Sequence, residues 1–346
     1  MKIIKQKKLH IYLEEYLKRR ESNKILIFGN YSGENVGDEA ILYTMVNDVR
    51  GSDYEFDIYV PSRNPEIVAK RHGVRAVPFR FSQILSALLR TNIIVVGGGT
   101  IFSEYAGKFV WLLPFFVTFS RLIGKKVVFY SLGFDPSTPF LLRIAAKFSF
   151  LFANKISMRD QASIQYNKFV DKLRGIDLVK DPVFHFDDYI KVKQIDKKQN
   201  KIAFALNPVR DPKVNDRLVH EYSKTCKKLI EQNKDIQIVL LSFYMPIDYE
   251  FNKRIVQKLS EKEKISVRVE RYLEFDQVLK QFEQSKVIVL SRLHSNILAG
   301  FTSSQKVHIS YALKNEQIFA QMKIHSYLNT NQLSSVELIN EINKKL

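Results

Sequence analysis

Short, nearly unbroken apolar runs alternate along this chain with helix-length segments, and that alternation constrains the fold more than any other feature. Residues 24–30 (KILIFGN), 56–60, 92–96 (NIIVV), 126–132 (KVVFYSL) and 155–158 read as strands. NIIVV and KVVFYSL carry almost no polar position, as parallel strands covered on both faces do. Residues 39–50, 81–89, 105–122 and 139–153 fill the intervals as predicted helices. After a polar stretch the pattern restarts. Strands are predicted at 202–206, 236–243, 265–269, 287–290 and 307–310, with helices at 216–232, 249–259, 275–282, 295–301 and 335–344. The expected fold class is α/β, with two Rossmann-like doubly wound domains facing across a cleft.

A length of 346 residues suits two such domains. The reading places an amphipathic N-terminal helix over 1–23, a first domain over 24–187, a polar linker over 188–200 and a second domain over 201–346. No self-similarity at solenoid period interrupts this scheme.

Lys and Arg number 54 against 36 Asp and Glu, a net charge of +18, which calls for an anionic partner. Nucleic acid is set aside, because the aromatic residues sit inside apolar runs and form no stripe with basic ones. The single cysteine, Cys226, excludes an intramolecular disulfide and a Cys-cluster zinc site, which suits a reducing compartment. Charges interrupt every apolar stretch of the N-terminus, so no signal peptide is read there. The longest apolar run, 109–120, is broken by Pro114 and falls short of the roughly twenty residues a membrane span needs. A cytoplasmic chain is therefore expected. Residues 109–126 and 140–155 combine dense apolar side chains with Arg121, Lys125, Lys126, Arg143, Lys147 and Lys155. They read first as core helices with basic ends, and a peripheral contact with anionic lipid at the inner membrane face is compatible with that.

In open α/β sheets ligands sit beyond the carboxyl ends of the strands, so the loops there hold the candidate chemistry. The first, 29–40 (GNYSGENVGDEA), carries three glycines with Asn35, Gly37 and Asp38 just before a helix, where Asp38 also suits an N-cap. It is neither a dinucleotide fingerprint nor a P-loop. The second, Gly97, Gly98 and Gly99, follows NIIVV and lets either a ligand or a crossing helix approach the backbone; Glu104 comes shortly after, as a sugar-hydroxyl partner, a base or a helix-dipole partner. The third, SMRD, offers the planar fork of Arg159 beside Asp160, a predicted cap. Asp181 reads as a turn residue.

The fourth loop is the most informative. The run 286–299 (KVIVLSRLHSNILA) delivers Arg292 and His294 to a strand-helix junction, two apart and so aimed to one side if the strand persists. Arg binds anions and His moves protons near neutral pH. Lys314, after the next strand, adds a candidate cation. No histidine or cysteine set has metal-ligand spacing, and no metal is expected.

In this order, GNYSGENVGDEA, VVGGGTIFSE, SMRD, DPVF and SRLHSNILAGF with a following YALKN resemble the polysaccharide pyruvyl transferase family over residues 24–323. The resemblance implies a fold similar to GT-B glycosyltransferases and transfer of the enolpyruvyl group of phosphoenolpyruvate to a sugar as a ketal, with release of phosphate. It carries basic roles onto Arg159, Arg292, His294 and Lys314, and glycine-rich roles onto Asn35, Gly37, Asp38 and Gly97 to Gly99. The expected assignment gives Arg159, Arg292 and Lys314 the donor's charges, with the cations of both lobes converging on it, and makes His294 the general acid. The first domain then takes the acceptor, a sugar of a cell-surface polysaccharide or its lipid-linked precursor. No cofactor is expected beyond phosphoenolpyruvate as donor substrate. The alternative is a GT-B glycosyltransferase using a nucleotide-sugar donor.

Overall fold

The computed structural model describes residues 7–18, 22–102, 108–135, 138–195 and 198–346. The chain divides into two compact units: Met1–Gly33 with Asp38–Tyr189, and Glu34–Gly37 with Ile190–Leu346.

The first unit opens with α1 (Leu9–Leu13) and β1 (Asn23–Phe28), followed by α2 (Val36–Arg50), β2 (Phe56–Ser62), α3 (Pro65–His72), β3 (Arg75–Pro78) and α4 (Phe81–Arg90). It continues through β4 (Ile93–Phe102), α5 (Leu113–Leu122), β5 (Lys126–Phe134), α6 (Phe140–Phe152), β6 (Lys155–Met158), α7 (Gln161–Tyr166), α8 (Lys168–Arg174) and β7 (Asp177–Leu178). All its strands are parallel, in the order β3-β2-β1-β4-β5-β6-β7, so the winding reverses between β1 and β4.

The central strands β4 and β5 are buried along nearly their whole length, as parallel strands covered on both faces are. Leu26, Ile94, Val96, Val127 and Phe129 pack with Ile84 of α4, Phe116 of α5 and Phe150 of α6 into one core. Each such side chain removed from water contributes about 1.5–3 kcal/mol. On α2, the buried Asp48 accepts from the Leu9 backbone N–H at 2.8 Å, from His185 Nε2 at 2.8 Å and from the Tyr189 hydroxyl at 2.5 Å. One carboxylate thus fastens α1 and the 3-10 turn Pro182–Asp188 to α2.

The second unit runs β8 (Gln199–Ala205), α9 (Pro212–Gln232), β9 (Gln237–Leu241), α10 (Ile247–Gln257), α11 (Glu261–Lys264), β10 (Val267–Glu270) and α12 (Phe275–Gln284). Then come β11 (Ser285–Leu290), α13 (Leu293–Ala299), β12 (Gln305–Ser310), α14 (Leu313–Met322), β13 (Leu328–Asn329) and α15 (Ser335–Asn343). Its parallel sheet has the order β10-β9-β8-β11-β12-β13, which puts the reversal between β8 and β11. Ile202, Phe204, Ile238, Val287 and Val289 pack against Leu218, Tyr222 and Cys226 of α9 in its core.

Several boundaries differ from the sequence reading. β4 continues through Gly97–Gly99 to Phe102, so the glycines lie inside a strand and not in a loop beyond it. α9 starts at Pro212, because Asp211 caps it by accepting from the Lys213 and Val214 N–H groups. Residues 261–264 form a short helix under a Ser260/Glu263 capping box, which delays β10 to Val267. Of the predicted helix 105–122, the part 105–107 lies outside the described residues, 108–112 is 3-10, and only Leu113–Leu122 is α-helical. In the polar stretch, Ile195 N–H and Lys198 Nζ donate to the buried Glu283 of α12, which also accepts from Ser303 N–H and Oγ.

Candidate active-site residues at the strand ends

β11 ends at the topological reversal of the second sheet, where open parallel sheets place their ligands. Ser291 is held there, its N–H donating to the Ala205 carbonyl at 3.0 Å and its Oγ accepting from Asn207 N–H at 2.6 Å. The chain then turns at once into helix. Arg292 is the N-cap residue and His294 lies in the first turn of α13, so the two do not share an extended strand as expected from their spacing.

Arg292 is not a bare cation. Its Nε donates to Asp248 Oδ2 at 2.9 Å and its Nη2 to Asp248 Oδ1, while its Cζ lies 5.8 Å from the centre of the Tyr244 ring. Asp248, in the first turn of α10, is wholly buried and also accepts from the Phe243 and Tyr244 N–H groups, both at 3.0 Å. Burial pushes the Asp248 carboxyl up. Burial also works against the charge of Arg292, but the Asp248 carboxylate outweighs it and raises the guanidinium's pKa. The Arg292 side chain still keeps 17% of its surface exposed, so the fork is steered by Asp248 without being sealed in.

The Asn35–Gly37 stretch belongs to this unit. Asn35 forms an antiparallel bridge with Tyr244, Val36 N–H donates to Phe243 O at 2.9 Å, and Met245 N–H donates to Glu34 O at 3.0 Å. Asn35 Oδ1 accepts from Gly37 N–H at 3.0 Å. A Cβ built on Gly37 would overlap the His294 imidazole. Glycine at 37 is what lets the helix start and the His294 ring occupy adjacent space.

Lys314 lies in the first turn of α14, its Nζ 5.1 Å from the centre of the Tyr311 ring. Asn315 Nδ2 donates to the Ser291 carbonyl at 2.9 Å, which ties the start of α14 to the turn carrying Arg292. The second unit therefore gathers Asn35, Gly37, Arg292, His294 and the helix start of Lys314 around the ends of β11 and β12. Behind them, His308 Nδ1 meets Asn296 Oδ1 at 2.7 Å, and Asn296 Nδ2 donates to the Arg292 carbonyl at 2.6 Å. Burial, helped by Lys306 and Lys345, pushes His308 down to about 4, so it serves as a neutral prop for α13.

Arg159 is placed differently. It follows β6 in the first unit, 2% exposed, with Nη1 donating to Asp181 Oδ2 at 2.8 Å and Nη2 to Thr100 Oγ1 at 2.9 Å. Asp181, read as a turn residue, both caps the 182–188 turn through Val183 N–H at 3.1 Å and answers Arg159. Asp160 caps α7, accepting from Ser163 N–H at 2.7 Å. The guanidinium of Arg159 is a buried tie between strand ends, not an open anion site.

Two of the three strand glycines are required by packing alone. A Cβ on Gly97 would overlap the Tyr130 carbonyl, and one on Gly98 (φ +69°) would overlap Ile41 of α2. At Gly99 (φ +95°) the space is open, bounded by Asp38 Oδ1 at 3.6 Å and Ile41 at 3.7 Å. Asp38, in the first unit, accepts from Asn30 Nδ2 at 3.0 Å. Glu104 lies outside the described residues.

Sequence reasoning missed Asp248, Asn296, Glu39 and Ser131. Asp248 sits in the first turn of the helix that follows β9, yet its partner is 44 residues away. Glu39 is buried and accepts from Gly33 N–H (2.8 Å), Arg71 Nη1 (2.9 Å) and His72 Nε2 (2.7 Å), which pins the glycine-rich loop. Burial alone would raise its pKa; those bonds outweigh it and hold the carboxyl below its usual range. Ser131 takes a left-handed φ of 51° inside β5, its Oγ donating to the Lys180 carbonyl at 3.0 Å.

A family model described as polysaccharide pyruvyl transferase matches residues 35–302. A search among curated proteins finds no match. Among solved structures, the S. aureus MnaA–UDP co-structure is similar with a TM-score of 0.62 at 11% identity, covering 94% of this chain and 88% of that one. UDP-GlcNAc 2-epimerase from Methanocaldococcus jannaschii gives 0.62 at 11% identity, over 93% and 92%. E. coli ADP-heptose lps heptosyltransferase II gives 0.51 at 12% identity, over 93% and 98%. At such identities the likeness is one of fold, the two-sheet α/β architecture of GT-B glycosyltransferases and epimerases.

Proposed function

Because the chain belongs to the polysaccharide pyruvyl transferase family, we propose that it moves the enolpyruvyl group of phosphoenolpyruvate onto a sugar as a ketal. The observation that supports this reading is an Asp248-steered Arg292 at the N-cap of α13, with His294 in the first turn of the same helix, at the sheet reversal. A donor bearing a phosphate and a carboxylate needs charge-assisted bonds, which Arg292 and Lys314 can supply beside the backbone N–H groups at the starts of α13 and α14.

The reaction then follows the groups present. His294 gives a proton to the enol methylene, and a sugar hydroxyl attacks the carbon bearing phosphate and loses its own proton. A second hydroxyl of the same sugar attacks that carbon as the carbon–oxygen bond to phosphate breaks; phosphate leaves with the electron pair and takes up that hydroxyl's proton, while the proton lost by the first hydroxyl restores His294. One phosphoenolpyruvate and one diol become one ketal and one phosphate. Arg159 acts through position in this scheme, holding Thr100 and Asp181 at the strand ends of the first unit. Asp38 and the open side of Gly99, both in the first unit, are the proposed acceptor contacts, on a sugar of a cell-surface polysaccharide or its precursor.

The test is incubation with phosphoenolpyruvate and candidate glycans, following phosphate release and a gain in product mass. His294→Ala should lower turnover by about 10²–10⁴ while leaving thermal unfolding unchanged. Phosphoenolpyruvate should protect the chain from thermal unfolding. Protection by a nucleoside diphosphate alone, or near-normal turnover of His294→Ala, would overturn the reading.

A further inference from the structure

The helices on one face of the first sheet carry apolar side chains on both of their sides. α6 turns Leu142, Ala146 and Phe150 to the core, yet Phe140, Leu141, Ile144 and Phe148 on its other side are 69%, 64%, 50% and 45% exposed. Their spacing, 140/141, 144 and 148, is one continuous stripe along the helix. α5 repeats the arrangement, burying Phe116 and Val117 while exposing Phe115, with Leu122 80% exposed at its end. α8 exposes Phe169 and Leu173, one turn apart. Since α4, α5, α6 and α8 share one core, these stripes lie on the outside of a single helical layer. The exposed large apolar side chains of the second unit, by contrast, are scattered along its sequence among the described residues.

The charges on this layer are predominantly positive, with Asp171 of α8 the one acidic residue in its four helices. Helices α4, α5 and α6 contain no Asp or Glu, but they or the turns at their ends carry Arg80, Arg90, Arg121, Lys125, Arg143 and Lys147. Three of these are bound to carbonyl oxygens, Arg143 Nε to Thr138 at 2.8 Å, Arg121 Nη1 to Lys125 at 3.2 Å and Lys125 Nζ to Leu89 at 3.0 Å. Such bonds fix the side chains without cancelling their charge. α8 adds Lys168 and Lys172 beside its exposed Phe169 and Leu173.

We propose that this layer is a docking face for an anionic lipid bilayer. Exposed aromatic and aliphatic side chains would enter the acyl boundary, and the interleaved cations would meet lipid phosphates. A protein partner large enough to cover the face would also have to present acidic groups across its whole width, whereas a bilayer presents both chemistries at any orientation. No helix among the described residues is long and apolar enough to cross a membrane, so the contact is peripheral. The inference concerns where the chain works and does not depend on the reaction proposed above.

The sequence contains one tryptophan, Trp111, and it lies at this face, 46% exposed, one turn before Phe115. Its fluorescence therefore reports the contact directly. The full chain is mixed with phosphatidylcholine vesicles, with or without phosphatidylglycerol, at low and high salt, and bound protein is separated by flotation. Vesicles with phosphatidylglycerol should bind it and shift Trp111 emission to the blue, with binding falling as salt rises. A Leu141→Gln/Phe148→Gln variant and a Lys147→Glu/Lys172→Glu variant should each bind at least about tenfold more weakly, since one cation at such a surface is worth about fivefold. Both should unfold at the parent's temperature, because all four side chains point outward. Equal binding to both vesicle types, an unshifted Trp111, or variants that bind like the parent would overturn the proposal. So would a dimer in solution that Leu141→Gln/Phe148→Gln dissociates, which would assign the face to a second copy of the chain.

Discussion

Arg292 grips Asp248 through two parallel N–H···O bonds across 44 residues of sequence, and Asp248 is itself fixed by two backbone N–H groups. The loop after β9 thereby sets the direction of the guanidinium at the end of β11. Removing the carboxylate leaves a largely buried cation without its partner. Asp248→Ala should therefore cost about 3–5 kcal/mol of stability, read by denaturant unfolding. Asp248→Asn keeps the shape and should cost less, while raising KM for phosphoenolpyruvate more than it lowers kcat. Parent-like kinetics in a stable Asp248→Asn variant would confine Asp248 to a purely architectural part.

Gly37 and His294 make a sharper case, because the effect is steric and local. A methyl group at 37 would overlap the imidazole, and the backbone there needs no left-handed φ. Gly37→Ala should fold, with its melting temperature within a few degrees of the parent's, yet lose about 10²-fold in kcat by displacing the ring. Unchanged turnover would mean that the position of His294 does not matter to the rate.

The glycines of β4 should separate into two kinds. Gly98→Ala meets both a positive φ and Ile41, and should lose about 1–3 kcal/mol in unfolding experiments. Gly99→Ala meets the φ but not the overlap, so its stability loss should be smaller. If Gly99 borders the acceptor, its variant should show a raised KM for the sugar that Gly98→Ala, once folded, does not.

Acid should weaken the second unit through Glu283. Burial pulls its pKa up, but bonds from Lys198, Ser303 and Ile195 outweigh that and lower it to about 2 from a usual value of 4.5. A carboxyl with a depressed folded-state pKa contributes stability above its unfolded pKa and loses it as protons are added. Melting temperature should therefore fall between pH 4.5 and about 2, and Glu283→Gln should flatten that limb while starting from a lower plateau at neutral pH.

Much of the fold could be read from runs such as NIIVV and KVVFYSL, because parallel strands buried on both faces need apolar residues at successive positions. The cap of α7 follows from local chemistry, Asp160 accepting from the N–H three residues on, whereas the matching cap of α9 by Asp211 lies ahead of the start read for that helix. The site was legible only as positions. SRLH marks a strand-helix junction, but nothing local says that the strand stops at Leu290 and that Arg292 becomes the N-cap of the helix carrying His294. Partners at long separation leave no periodic trace, so neither Asp181 for Arg159 nor Asp248 for Arg292 could be deduced. The strand glycines misled for a related reason. Three in a row resemble a loop, and only the approach of α2 and β5 shows why a strand carries them.

The path of the backbone bears on how this molecule could be cut or recombined. Residues 34–37 belong with 190–346, although 1–33 and 38–189 enclose them in sequence. A fragment beginning at residue 190 would leave the carbonyl of Phe243 and the N–H of Met245 without their native mates, and His294 without the bare backbone it rests against. Gene fusions or swaps that treat the second half as a self-sufficient cassette would lose these contacts. A transplant that preserves this unit has to carry a four-residue splint from a distant part of the sequence.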